Sequence, residues 1–303
     1  MKLLSLFIGL FSLLGCSSGL VTATSDDATF EIPFSFEKGH VIVHARIKKD
    51  LPVEVVIATG AEHSTVDMAL LEKYKLQSGY AGEPPVTGHN DRIYFFSIVP
   101  DVRLGDARAT SLSMHLVSLS EVSKAVGREI FGVLGADFFK GRVVQFDFRK
   151  KLIRFLSQSA TDELTDQKAG RAPNESTILR MIENDDPYKN VTVPVVEGVT
   201  IDGKKVKVLL DTGAVMVVGI SSSTAKKLGF VVPPDKTQPR PDKIGSLRLG
   251  TSELTDVPAI ISAKGTELER DLSQHGAVVG VAILQNFLIT FDFRNKLVVL
   301  ERV

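Results

Sequence analysis

Short runs of Val, Ile, Leu and Phe, broken by Gly, Pro and Asp, follow one another along most of this chain. Alternating apolar stretches at residues 41–47 and 191–196 are each followed by a polar turn, at Asp50 and at Asp202-Gly203. That pattern predicts strands joined by hairpins. Helical signals are short and few, at residues 68–76, 119–126 and 222–228. The pattern therefore predicts a mainly β protein with a few short helices.

The pattern also occurs twice. Phe146-Asp147-Phe148-Arg149 opens a Phe-Asp-Phe-Arg-x-Lys-Leu stretch that returns at Phe291-Asp292-Phe293-Arg294. Earlier, Arg103-Leu104-Gly105 matches Arg248-Leu249-Gly250, and Leu134-Gly135 matches Val279-Gly280. Earlier still, an apolar strand runs into Ala58-Thr59-Gly60-Ala61 in one half and into Asp211-Thr212-Gly213-Ala214 in the other. The later motifs are offset by 145 residues, as in Gly135 to Gly280, and the turns by 153, as in Ala58 to Asp211. The first half thus carries eight more residues between its turn and its Arg-Leu-Gly, the difference of those two offsets. A polar stretch at 158–175 has no periodic apolar face and is expected to link the halves. The expected units are a leader at 1–16, a tether at 17–28, a lobe at 29–157, the linker, and a lobe at 176–303.

The leader has its own pattern. An apolar run at residues 3–14 precedes Gly15-Cys16-Ser17. It has the length of a signal-peptide core and is too short to span a bilayer. Leu13-Leu14-Gly15-Cys16 resembles the bacterial lipobox, which implies cleavage before Cys16, lipidation of its thiol, and anchoring in the envelope facing the periplasm. Ser17 after it implies the outer membrane. Cys16 is the chain's one cysteine, so no intrachain disulfide staples the fold.

Lysine plus arginine and aspartate plus glutamate each number 36, so the formal net charge is zero. This argues against a nucleic-acid binder, which needs a basic face. No His, Cys or carboxylate group has metal-ligand spacing, and neither a metal nor another cofactor is expected.

An apolar strand ending in Asp-Thr-Gly delivers a carboxylate at a tight turn, which glycine permits. Two such turns about a twofold axis place two carboxylates side by side. They cannot both ionise, so one serves as base and the other as acid. The second half, with Asp211-Thr212-Gly213-Ala214 and the later Val279-Gly280, resembles the retropepsin-like bacterial aspartic proteases. The tandem arrangement resembles the two-lobed pepsin plan. The resemblance implies two β-barrel lobes related by a pseudo-twofold axis, an active-site cleft between them, and polypeptide as the bound partner. It implies Asp211 as catalytic residue, with Thr59, Gly60, Thr212 and Gly213 in the active-site turns.

The departure is Ala58, which stands where the first lobe's catalytic Asp is expected. Its methyl group neither donates, accepts nor ionises, so hydrolysis is expected to be impaired or lost. Glu62 and His63 are weighed as substitutes and read instead as surface residues pointing away from the turn. Asp67 lies further on, and His89 reads as a loop histidine. The extra residues fall where this family has its flap. Residues 84–98 read as two strands about Gly88-His89-Asn90-Asp91, with Tyr94 or Phe95 placed to touch a peptide. The matching stretch 233–242 is proline-rich and is not expected to form a hairpin. Three readings remain: a peptide-binding pseudo-protease, an enzyme that uses Asp211 through dimerisation or a substitute acid, and an inactivated variant whose parent carries aspartate in place of Ala58. Asn174 and Asn190 begin glycosylation-like triplets that a bacterial lipoprotein does not use.

Overall fold

The computed structural model describes residues 28–80, 95–169, 176–182 and 191–302. Cys16 and the leader, His89, Tyr94, Asn174 and Asn190 lie outside the described residues.

The first lobe contains β1 (Phe30–Pro33), β2 (Ser35–Glu37), β3 (His40–Ile47), β4 (Leu51–Ile57), β5 (Thr65–Asp67), β6 (Ser78–Tyr80), β7 (Phe95–Leu104), β8 (Ala107–Val117), α1 (Ser120–Val126), β9 (Gly132–Leu134), α2 (Ala136–Phe139), β10 (Val143–Asp147) and β11 (Leu152–Phe155). A helix, α3 (Gln158–Ala169), follows. The second lobe contains β12 (Ser176–Arg180), β13 (Val195–Ile201), β14 (Lys204–Asp211), β15 (Val218–Ile220), α4 (Ser222–Leu228), β16 (Arg240–Leu249), β17 (Ser252–Ile261), α5 (Glu267–Ser273), β18 (Ala277–Gly280), α6 (Val281–Leu284), β19 (Phe287–Asp292) and β20 (Leu297–Arg302).

Six strands of the second lobe close a barrel in the order β13-β14-β18-β15-β17-β16. The first lobe repeats it with β3-β4-β9-β5-β8-β7, closed by a β3–β7 pairing. The strands that reach the turns, β4 and β14, begin exposed and end buried. Their inner ends lie parallel to β9 and β18. Parallel strands are covered on both faces, which is why alternation gives way there to the continuous apolar runs before Ala58 and Asp211.

The third sheet joins the lobes, in the order β1-β11-β10-β19-β20-β12. Its middle pair is antiparallel and sets Val143 against Asp292, Gln145 against Thr290 and Asp147 against Leu288. Gln145 and Thr290 are repeat equivalents, so the pseudo-twofold axis passes between them. The Gln145 amide Nε2 donates to Thr290 Oγ1 at 3.0 Å. The repeated Phe-Asp-Phe-Arg-x-Lys-Leu is the hairpin of this sheet. Asp147 accepts from Lys150 N, and Asp292 accepts from Arg294 N and Asn295 N. Lys151 and Lys296 take the left-handed conformation that closes each turn. Phe146, Phe291 and their neighbours belong to one apolar core that runs through both lobes.

Three local expectations change. The segment read as a linker opens with α3, whose buried Thr161 donates its hydroxyl to the Ser157 carbonyl. Residues 68–76 form a single 3-10 turn at Met68–Leu70 followed by turns, not a full helix. In the proline-rich stretch, Arg240, Pro241 and Asp242 pair with β17, while residues 233–239 form no strand. Residues 84–94 of the stretch expected to form a flap lie outside the described residues; on either side of it Ser78, Gly79 and Tyr80 pair with Ser97, Phe96 and Phe95.

Candidate active site

The two turns meet on the pseudo-twofold axis and hold each other. Thr59 N donates to Thr212 Oγ1 and Thr212 N donates to Thr59 Oγ1, both at 3.1 Å. Each hydroxyl then donates to the carbonyl before the opposite turn, Thr59 Oγ1 to Leu210 O and Thr212 Oγ1 to Ile57 O, again at 3.1 Å. Both threonines are fully buried. Two short polar side chains thereby satisfy four backbone groups that no water reaches.

Beneath each turn a second strand passes close. Ala136 N donates to Ala61 O and Val281 N to Ala214 O. A Cβ at Gly135 would lie 2.6 Å from Ala61 O, and one at Gly280 would lie 2.1 Å from Met216 O. Glycine at both positions is what lets the crossing strand approach the turn.

Asp211 stands at the end of β14 and is 1% exposed. Its Oδ1 accepts from Gly213 N at 2.8 Å and from Gly60 N, across the axis, at 2.9 Å. Burial pushes its pKa above the ordinary 3.8, and the amides of Gly213 and Gly60 oppose that shift in part. Ala58 occupies the twofold counterpart. A Cβ on Gly213 would meet Ala58 Cβ at 2.4 Å, as one on Gly60 would meet Asp211 Cβ at 2.6 Å. The backbone at Ala58 thus mirrors that at Asp211, with a methyl group where Asp211 carries a carboxylate.

Glu62 and His63 do not lie as expected. Glu62 is buried and His63 is only partly exposed, with Nε2 4.0 Å from Glu62 Oε1. Reading them as surface residues is thereby corrected; the chain after the turn runs under β9 and takes their side chains into the lobe. The His63 and His115 rings meet at a tilt of 38°, with 4.8 Å between centroids. Burial, and then the neighbouring His63, lower the His115 pKa to about 4. Next to them, Asp137 is buried and accepts from Ser64 N, Ser64 Oγ and Phe138 N. Burial raises its pKa, against those bonds and the His63 charge. At the repeat-equivalent positions of the second lobe stand Val215, Met216, Val217, Ile260 and Ala282. Asp67 accepts from Ala69 N and Leu119 N and is a structural cap.

Among the described residues, no group of three or more His, Cys, Asp or Glu is placed to hold a metal ion. None of the helices there is long and apolar enough to cross a membrane. No curated protein matches the chain. Residues 197–275, from within β13 through α5 and including Asp211, match the family model described as aspartyl protease, a match that supports an aspartyl protease family for this chain.

Proposed function

We propose that the protein binds extended polypeptide between its two lobes, and that peptide hydrolysis there is impaired because Ala58 replaces one member of the acid–base pair. The observation that carries this reading is the intact threonine interlock around an unpaired Asp211. A site abandoned by function has no reason to keep four buried cross-lobe hydrogen bonds and a glycine at each crossing. The same proposal takes the chain as a lipoprotein anchored through Cys16 in a bacterial envelope, supported by the lipobox-like leader.

An active enzyme is the second reading, favoured by the raised pKa of Asp211, which suits a general acid. Pairing the second lobes of two chains would first have to break the β10–β19 ladder and the threonine interlock. A substitute group within the chain avoids that cost.

The deciding variant is Ala58→Asp, assayed on casein with and without pepstatin. The variant is expected to gain pepstatin-sensitive cleavage of about 100-fold or more over the parent, the contribution usual for one acid or base. Absence of both pepstatin binding and cleavage in the variant would sink the peptide-cleft reading. Envelope anchoring is checked by radiolabelled palmitate, which should label the parent and not Cys16→Ser.

A further inference from the structure

In the first lobe Ala58 follows the end of β4, and the neighbouring strand β3 begins with a buried histidine, His40. Strands β3 and β4 pair with Ile42 against Val56 and Val43 against Val55. The paired stretch ends at Ile42 and Val56; carried on by two residues, its register would bring His40, the first residue of β3, to the level of Ala58. The second lobe pairs Val195 with Leu209, and Leu210 N donates to Pro194 O. There the same continuation sets Val193 against Asp211. In these extended registers a valine matches the carboxyl of one lobe, and an imidazole matches the methyl of the other.

His40 is also unusual in itself. It is 1% exposed, and its Nδ1 is fully buried without a hydrogen-bond partner. A buried polar side chain is ordinarily bonded, so an unsatisfied ring nitrogen calls for a reason. The turn before it reaches the other lobe: a Cβ on Gly39 would lie 2.6 Å from Val215 Cγ1, four residues beyond Asp211.

We propose that His40 is the second acid–base group of this site and carries a slow residual hydrolysis together with Asp211. The inference rests on the peptide-cleft reading above. Protonated Asp211 gives its proton to the peptide carbonyl oxygen as a water oxygen attacks the carbonyl carbon. The proton released by the water passes to neutral His40. The resulting diol then collapses: Asp211 regains a proton from one hydroxyl, the imidazolium protonates the leaving nitrogen, and the C–N bond breaks. Both groups end as they began, and water plus peptide has become acid plus amine.

The surroundings suit those protonation states. Burial lowers the pKa of His40 and so favours its neutral form, while burial raises that of Asp211 and so favours its protonated form. Around His40, its hairpin partner Glu37 is bonded to Arg128. Lys38 is exposed. On α1, Val122 packs in the apolar cluster that holds Ala58, while Glu121 and Lys124 are exposed.

The full chain is assayed on casein between pH 3 and 8, with binding to immobilised pepstatin as a separate readout. The parent is expected to cleave slowly, with an acid limb marking protonation of His40. His40→Phe should lose about 100-fold or more in rate and keep pepstatin binding. His40→Val, which copies Val193, serves as the second variant if Phe does not fold. Added imidazole should restore part of the rate to His40→Ala. In Ala58→Asp the His40→Phe change should cost little, because a carboxyl dyad does not need the ring. Unchanged rate and pH profile in folded His40→Phe or His40→Val would overturn the role of His40. So would a parent that binds pepstatin and never cleaves, an outcome that leaves the peptide-cleft reading standing. Failure of both the parent and Ala58→Asp to bind pepstatin would overturn both.

Discussion

At residue 211, burial and hydrogen bonding pull in opposite directions. The site removes the carboxyl from water and returns two amide donors, Gly60 N and Gly213 N, to one oxygen. Burial wins, and the pKa rises. A raised carboxyl pKa means that the folded protein holds a proton where the unfolded chain has lost it. Stability linked to Asp211 is therefore fullest below pH 3.8 and declines as pH climbs from there through the raised value. Asp211→Asn keeps an acceptor for both amides and removes the titration. It should raise the melting temperature at pH 7 relative to the parent and leave it nearly unchanged at pH 3. Equal shifts at both pH values would contradict this account of the site. The Thr59 hydroxyl illustrates the reverse case of a fully satisfied group. Thr59→Val strands Thr212 N and Leu210 O in a dry interface, at a cost of about 1–3 kcal/mol for each. A urea titration should show that loss as a lower midpoint with the slope unchanged.

The elements that build the site are two repeats of strand, turn and crossing strand. β14 delivers Asp211 at its buried end, where β18 pairs with it in parallel and sets Gly280 against Asp211. The crossing at Gly280 is tighter than the one at Gly135, since a Cβ there would meet Met216 O at 2.1 Å and Ala214 O at 2.4 Å. Both neighbours are backbone and cannot rotate away. Gly280→Ala should therefore destabilise by about 3 kcal/mol or more, the range of backbone clashes and core strain. Gly127→Ala, where a Cβ meets nothing within 4 Å, is the control. It carries only the strain of its left-handed φ. Similar melting temperatures for the two variants would refute the crossing's importance. The repeated hairpin Phe-Asp-Phe-Arg-x-Lys-Leu explains its own sequence at this scale. Aspartate caps the turn, lysine takes the left-handed position, and the flanking phenylalanines enter the core or pack against it.

For the whole molecule, the six-stranded sheet and the threonine interlock make the lobes one cooperative body. The β10–β19 ladder, the Gln145–Thr290 bond and the Phe146–Phe291 contact all cross the axis. Calorimetry should give a single unfolding transition, and two resolved transitions would show that the lobes are independent. Such coupling also argues against an assembly that swaps lobes between chains. How far this could be read beforehand depends on what kind of contact is involved. Tandem lobes, the strands entering both turns, the glycine crossings, helix α4 and the match of Ala58 to Asp211 are local patterns or repeats, and a linear sequence displays those directly. Which strands pair across the axis, that Glu62 turns inward, that Ser64 bonds Asp137 and that His40 is buried with an unbonded Nδ1 are not local. Each depends on register between segments far apart in the chain, and on burial by residues that no spacing rule names. The sequence by itself determined that Asp211 and Ala58 stand at matching turns of a repeated strand-turn pattern. Only the tertiary structure decided which side chains surround them, because long-range packing, not chain order, sets who is within reach of a proton.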